Sequence, residues 1–412
     1  MTAATFDYGP VLRKDLPPAA ARWNGFPKFN FIGGHNDPKS TPVDGLLEAA
    51  TTVLRREGVN LATYGLASGP QGYRGLREFL AAKMKRHAGI VCDADEILVT
   101  SGSMQGIDLV CQAFVAPGDS IIVEQATYGG ALTRMRRGGG KPVGIPLDDG
   151  GMRMDLLANA LEEMTRKGAP PKFIYTIPTI QNPTSSVMSA DRRREMVRLS
   201  EAYGVPIVED ECYSDLIFEG DRPDAIYAMS GTGGVIHIGS FSKSIAPALR
   251  VGYVVAKWEI LSRLLACKQD AGSGALEQMV LAEYCKTHFF DHVDRLNAAL
   301  RVKRDALVEA LGEHFGTSAE FEPPRGGIYL WIKLPKEVDT TRLTQVAAQA
   351  GVAINPGVEW STDADYGRVR LRICFAHPTV ETIREGVAKL AEICGREFGV
   401  PTRIANVDRA AG

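Results

Sequence analysis

Short runs that are apolar almost throughout alternate along this chain with longer stretches of helical periodicity, and this alternation limits the fold more than any other feature. Ile97-Leu98-Val99-Thr100, Ser120-Ile121-Ile122-Val123, Phe173-Ile174-Tyr175-Thr176, Val205-Pro206-Ile207-Val208-Glu209 and Val235-Ile236-His237-Ile238 are too short for helices and lack a polar face. Helix-patterned segments separate them at 104–114, around Ala131, and at 191–203. Strands without a polar face must be covered on both sides, so the pattern predicts an α/β fold around a mostly parallel sheet. Val251 to Val255 follows the last strand too soon for a crossover helix and is expected to pair antiparallel. In such sheets ligands bind beyond the carboxyl ends of the strands. Ser101-Gly102-Ser103, Tyr128, Asn182, Asp210 and Lys243 all fall at those ends.

The flanks read differently. Residues 1–45 form an irregular arm rich in proline and glycine, with turn signals at Pro17-Pro18, Gly33-Gly34 and Asp37-Pro38. Leu46 to Arg56 and Gly72 to Arg86 are helix-patterned, and Trp258 to about Leu311 is helix-rich. Gly327 to Ile332 and Val369 to Ile373 then read as strands of a smaller α+β domain. The expected division is an arm at 1–45 that packs with the small domain, a large domain at 46–285 and the small domain at 286–412. A chain of 412 residues with 45% apolar content can fill two such cores. The net charge of −2 and the absence of a basic patch argue against nucleic acid. No apolar run reaches membrane length, and the N-terminus lacks the pattern of a signal peptide. Seven scattered cysteines without a C-x-x-C read as reduced thiols of a cytoplasmic protein. His288 and His292 stand four apart on a helix, but no Glu follows the first and no third ligand is evident, so no metal is expected.

The richest local signal is Gly239-Ser240-Phe241-Ser242-Lys243-Ser244, with Arg250 seven residues beyond the lysine. It sets an amine among hydroxyls and a guanidinium. An amine that forms a Schiff base has to be held beside its carbonyl, and a phosphate on the same molecule calls for hydroxyl donors and a bidentate arginine. The run resembles the lysine signature of the fold type I aminotransferases, which use pyridoxal 5'-phosphate. Other pieces follow in that family's order: Tyr64-Gly65, Gly72-Tyr73-Arg74-Gly75, Thr100-Ser101-Gly102-Ser103-Met104, Thr127-Tyr128-Gly129-Gly130, Gln181-Asn182-Pro183-Thr184, Glu209-Asp210-Glu211-Cys212-Tyr213, Gly326-Gly327, Asn355-Pro356-Gly357 and Leu371-Arg372. They span residues 30 to 380, and the chain is similar to class I/II aminotransferases of the aminoadipate/kynurenine branch.

The resemblance implies a PLP-transferase fold of type I, with a seven-stranded sheet sandwiched by helices. It also implies a set of roles. Lys243 would be the Schiff-base lysine and then the acid and base of the proton shift, with Asp210 on the pyridine nitrogen and Tyr128 stacked on the ring. Asn182 and Tyr213 would meet the phenolic oxygen. Ser103, the Met104 amide, Ser240, Ser242 and Arg250 would hold the phosphate. Arg372, with Asn182, Gly34 and His35, would face the substrate. Tyr64 of the partner subunit would reach the phosphate, which makes the expected assembly a homodimer with shared sites. The implied reaction moves an amino group between an L-amino acid and a 2-oxo acid, 2-oxoglutarate being the expected acceptor.

Three departures bear on the substrate. Ser185 stands where the family's Asn-Pro-Thr motif continues into glycine, His35 follows the two arm glycines, and Arg325 precedes Gly326-Gly327. Arg22 or Arg325 would suit a distal carboxylate. The same motifs also serve β- or γ-replacement, elimination, decarboxylation or cyclisation on an amino acid such as S-adenosylmethionine, which is the alternative reading. A third reading, an effector-sensing domain of a DNA-binding regulator, calls for a winged helix ahead of the fold. Residues 1–45 offer no basic segment for one.

Overall fold

The apolar runs form one seven-stranded sheet. Strands β1 (Ile97–Thr100), β2 (Ser120–Glu124), β3 (Lys141–Ile145), β4 (Ile174–Thr176), β5 (Ile207–Asp210), β6 (Val235–Ser240) and β7 (Gly252–Val255) lie in the order β1-β7-β6-β5-β4-β2-β3. β7 is antiparallel to both its neighbours and every other pair is parallel. This is a computed structural model that describes residues 6–14, 16–17 and 19–401. Residues 1–5, 15, 18 and 402–412 lie outside the described residues, and with them Pro18 of the expected turn and the outer ends of the expected arm and C-terminal domain.

Successive strand residues point to opposite faces, so each face has its own core. Leu98, Ile121, Val123, Tyr175, Val208 and Ile236 pack on the side of α3 (Ser103–Phe114). Ile97, Val99, Ile122, Ile174, Ile207 and Val235 pack on the side of α2 (Arg74–His87), α5 (Met154–Arg166) and α6 (Ala190–Tyr203). Between α3 and α5 comes α4 (Gly129–Arg137), and α1 (Val43–Glu57) precedes α2. β3 had no counterpart among the expected strands. It is an edge strand, with Lys141 exposed, and it carries Pro142, which an edge tolerates because one side of the backbone needs no ladder partner.

After β7 come α7 (Trp258–Cys267) and the 40-residue α8 (Ala275–His314). The domain boundary expected at residue 285 falls inside α8. Its first half buries Met279, Leu281, Cys285 and Phe289 in one core, and its second half buries Leu296, Leu300, Leu307 and Leu311 in the other. A helical period tells that a face is buried but not against what, so one rod shared by two cores reads like two helices. The rest of the chain forms an antiparallel sheet, β8-β10-β9, from β8 (Tyr329–Lys333), β9 (Asn355–Pro356) and β10 (Arg370–Cys374), with α9 (Thr340–Gln349) and α10 (Val380–Phe398). The arm is tied to this part. Phe29–Asn30 pairs parallel with Val352–Ala353, and Phe29 and Phe31 press on Gly386 of α10, where a Cβ would strike their rings. The buried Lys303 ammonium of α8 reaches Asp37 at 2.9 Å.

Candidate active site

The carboxyl ends of β1, β2, β4, β5 and β6 share one edge of the sheet. Because β7 runs the other way, its amino end lies there too, bringing in Arg250. Between this edge, the arm glycines and β8–β10 lies a cavity of about 590 Å³. It is lined by Gly34, Ser103, Met104, Tyr128, Asp210, Tyr213, Ser240, Ser242, Lys243, Arg250 and Arg372 among others.

Lys243 follows β6, and its Nζ donates to Gly34 O at 2.8 Å. A side chain at 34 would collide with that ammonium and with the Tyr329 hydroxyl, so glycine is needed for the arm to approach the lysine. Asp210 ends β5, is 3% exposed, and accepts from Tyr175 OH at 2.7 Å and from Cys212 N at 3.3 Å. Burial pushes its carboxyl up, and the Cys212 thiol and the Tyr175 hydroxyl pull it back. Tyr128 precedes α4 and lies 5.7 Å from the ring of Trp360. Burial pushes its phenol up to about 12, so it is neutral at physiological pH.

Arg372 of β10 is 2% exposed. Its guanidinium lies between the faces of Trp360 (3.5 Å) and Tyr329 (3.7 Å), a geometry that holds a cation by its flat sides and leaves the edge for a ligand. That edge donates to Asn182 Oδ1 at 3.1 Å, Gly33 O at 3.1 Å and Asn355 Oδ1 at 3.0 Å. Asn182 in turn donates to Tyr213 OH at 3.1 Å. It is buried just behind the cavity wall.

At the other end, α3 begins beside the cavity without any side-chain cap, leaving the Ser103 and Met104 amides available. Ser240 Oγ donates to Ser242 Oγ at 2.9 Å, and Arg250 donates to Ser101 O at 3.2 Å. Gly102, at φ 78°, has no room for a Cβ against the Arg250 guanidinium. An uncapped helix N-terminus, two hydroxyls and an arginine around a glycine form a receptor for a phosphate. Lys243, Arg250, Arg372 and Arg136 line the cavity against the carboxylates of Asp210 and Glu359, a balance suited to an anionic cofactor and substrate.

Other expected residues lie elsewhere. His35 does not line the cavity; its ring packs edge-on to Phe26 (5.1 Å) and against His377 (5.5 Å). Tyr64 is 88% exposed and borders a second cavity beside Pro70 and Trp258. Arg22 and Arg325 are exposed and do not line the site either, Arg325 resting beside Gly220. Ser185 is accounted for: it takes the left-handed conformation (φ 62°) that glycine would adopt, and its hydroxyl donates to Tyr329 O at 3.0 Å. His292 donates from Nε2 to Ser244 O at 2.9 Å and so steadies the lysine loop, while His288 lies against Tyr284.

The sequence reading missed Tyr175, Cys212, Tyr329, Glu359 and Arg136 as cavity or near-cavity groups. A signal existed for Tyr175. It pairs with Val208 across β4 and β5, so Asp210, two residues on, shares its face. Arg136 was also legible: it falls on one face of α4 with Gly129 and Thr133. Trp360 and Glu359 depend on how a 3₁₀ turn folds back over the site, which no local pattern shows.

A covered parallel sheet, a lysine at the cavity floor and a phosphate receptor at one end define a pyridoxal phosphate enzyme of fold type I, and the residues present fit that cofactor. The family model for aminotransferase class I and II matches residues 34–390. The aromatic-amino-acid aminotransferase 1 of Thermococcus litoralis is 34% identical over 90% of this chain and 88% of that protein. The 2-aminoadipate transaminase of Thermus thermophilus is 32% identical, over 88% and 89%. Among solved structures, the kynurenine aminotransferase of Pyrococcus horikoshii, in complex with PMP, superposes with a TM-score of 0.85 at 31% identity, covering 90% of this chain and 91% of that one. The chain belongs to the class I and II aminotransferases and is a pyridoxal-phosphate-dependent transaminase.

Proposed function

We propose that this enzyme moves the α-amino group of an L-amino acid with a large side chain to 2-oxoglutarate in two half-reactions at one site. The observation that carries the reading is the convergence of Lys243, Asp210 and Arg372 on one cavity. Bound pyridoxal phosphate supplies an aldehyde for amino exchange and a ring that withdraws electrons from the carbon being deprotonated. Ser103, the Met104 amide, Ser240, Ser242 and Arg250 hold the phosphate. Asp210 pairs with the ring nitrogen, Asn182 and Tyr213 hold the phenolic oxygen, and Tyr128 covers the ring face. Arg372 takes the substrate α-carboxylate with the N–H groups its bonds to Asn182, Gly33 and Asn355 leave over, Nε among them, with Asn182 and the Gly34 backbone beside it. That fixes the Cα–H bond relative to Lys243, which carries the proton away and returns it.

Aromatic walls at Tyr128, Tyr329 and Trp360 favour an aromatic side chain, and Arg136 at the cavity rim suits a distal carboxylate. These match the aromatic and 2-aminoadipate substrates named for the relatives. His35 is assigned to the second layer behind the Gly34 backbone. Two subunits form the unit, with Tyr64 of the partner subunit completing the phosphate site. The reading places the enzyme in the cytoplasm, supported by seven cysteines that are all free and by the absence, among the described residues, of a helix long and apolar enough to cross a membrane.

An absorbance titration tests the reaction. Aromatic amino acids or 2-aminoadipate, added to the holoenzyme without an oxo acid, should convert the cofactor stoichiometrically to its amine form, and 2-oxoglutarate should reverse it. Consumption of amino acid with no amine form would instead establish replacement, elimination or cyclisation.

A further inference from the structure

We propose that Tyr175 and Cys212 are positioning residues beneath Asp210: they hold its carboxylate as the anion and keep the proton it shares with the cofactor's pyridine nitrogen on the ring. The inference rests on the reading of Asp210 as the partner of that nitrogen.

Asp210 is almost completely buried at the end of β5, and no lysine, arginine or histidine among the described residues forms an ion pair with it. A buried carboxylate without a counter-ion tends to take up a proton. An Asp210 that had done so would leave the pyridine nitrogen unprotonated, and the ring would be a poorer electron acceptor. Donors replace the missing charge. Tyr175 OH approaches Oδ2 at 2.7 Å and Cys212 N approaches Oδ1 at 3.3 Å, and the neighbouring Cys212 thiol favours the anion.

Both side chains keep their protons, so each has one to donate. Burial and the neighbouring Asp210 drive the Tyr175 phenol and the Cys212 thiol far above their ordinary values, so neither ionises at any working pH. The neighbouring carboxyls are engaged elsewhere, and the Ser103 hydroxyl is the other group beside the Cys212 thiol. Glu209 turns to His237, which lies 3.0 Å away, and Glu211 turns to Arg193 and Thr179. Glu124, another carboxyl that acts on Tyr175, takes its own donors from Thr176 and Gln181. Of the other charged or titratable neighbours, His237 favours the anion, whereas Tyr128 and Lys243 face the cavity.

The chemistry concerns a single proton. In one arrangement it sits on Asp210 and the ring nitrogen accepts; in the other it sits on nitrogen and the carboxylate accepts. Each donor on the carboxylate lowers its proton affinity and favours the second arrangement.

The test is the ring-nitrogen resonance of ¹⁵N-labelled pyridoxal phosphate bound to the holoenzyme. Tyr175→Phe and Cys212→Ala should each move it from the protonated towards the unprotonated position. Tyr175→Phe should do so more, because a hydrogen bond to a charged group shifts such a partition by about tenfold or more. With it, kcat should fall while KM changes little. Folded variants that both keep the wild-type resonance would overturn the proposal, whatever their activity. Should Tyr175→Phe fail to fold, Cys212→Ala decides alone, since it retains the backbone donor and shape. Asp210→Asn separates the two levels: if it too leaves the resonance unmoved, the assignment of Asp210 is wrong and the proposal falls with it.

Discussion

Lys243 is held by geometry at two levels: its ammonium donates to Gly34 O, and its loop is fixed through the His292 bond to Ser244 O. Lys243→Ala should keep the fold, lose the covalent link to the cofactor, and slow the amino-acid half-reaction by about 10²–10⁴-fold, the usual weight of a general acid–base group. Single-turnover absorbance checks this, and a variant with an unchanged rate would remove Lys243 from the reaction. Ser185 makes a different case. Its backbone is left-handed, and the hydroxyl bond to Tyr329 O offsets the strain. Ser185→Ala keeps the conformation and loses the bond, so it should destabilise by about 1 kcal/mol in urea unfolding. The same residue shows how far reading single positions goes. A departure from the family's glycine was visible in the sequence, but the strand carbonyl that accounts for it comes from 144 residues away.

At the scale of elements, the end of β2 carries a titration. Glu124 is fully buried below the cavity edge, and burial pushes its carboxyl up to about 7 although Gln181, Thr176 and the Ile177 amide donate to it. Its ordinary value is 4.5, so the folded state binds this proton more tightly than the unfolded chain does. The stability it contributes is therefore complete below pH 4.5 and is lost as pH rises through about 7. Over that window the change is on the order of 3 kcal/mol. Glu124→Gln should flatten this part of the stability–pH profile, measured by denaturant unfolding at fixed pH values. A slope that survives in the variant would assign the titration to another group. The elements themselves were largely readable, since six of the seven sheet strands are buried and apolar enough to stand out. β3 was not, because an edge strand with Lys141, Pro142 and Gly144 has neither the composition nor the alternation of a covered one.

For the whole molecule, the exposed Tyr64 and Trp258 of α7 border the second cavity, and Val59 and Leu61, a few residues before Tyr64, are exposed too. Exposed apolar groups of this kind mark a contact between molecules, and the proposed dimer would cover them. A two-fold pair with shared sites makes a specific prediction. Lys243→Ala and Tyr64→Phe homodimers should each be impaired, because one lacks its lysine and the other its phosphate contact. Unfolded together and refolded as a mixture, they should regain about a quarter of wild-type activity, since half of the random dimers are mixed and each carries one intact site. No recovery in mixed dimers confirmed by mass would show that Tyr64 serves its own subunit or none.

Local chemistry determined much of this protein. The period of apolar residues dictated a covered parallel sheet, and the edge rule then collected Ser103, Tyr128, Asn182, Asp210 and Lys243, because strand ends in such a sheet are neighbours whatever their distance in sequence. The tertiary structure alone decided what stands opposite that edge: that the arm brings Gly34 to the lysine, that Trp360 and Tyr329 clasp Arg372, that His35 turns to Phe26 and His377, and that Arg136 reaches the rim where Arg22 and Arg325 do not. Those contacts depend on the packing of whole elements, and that of Gly34 with Lys243 joins segments 209 residues apart. Patterns of period two or 3.6 say which face of an element is buried but carry no information on the partner that buries it.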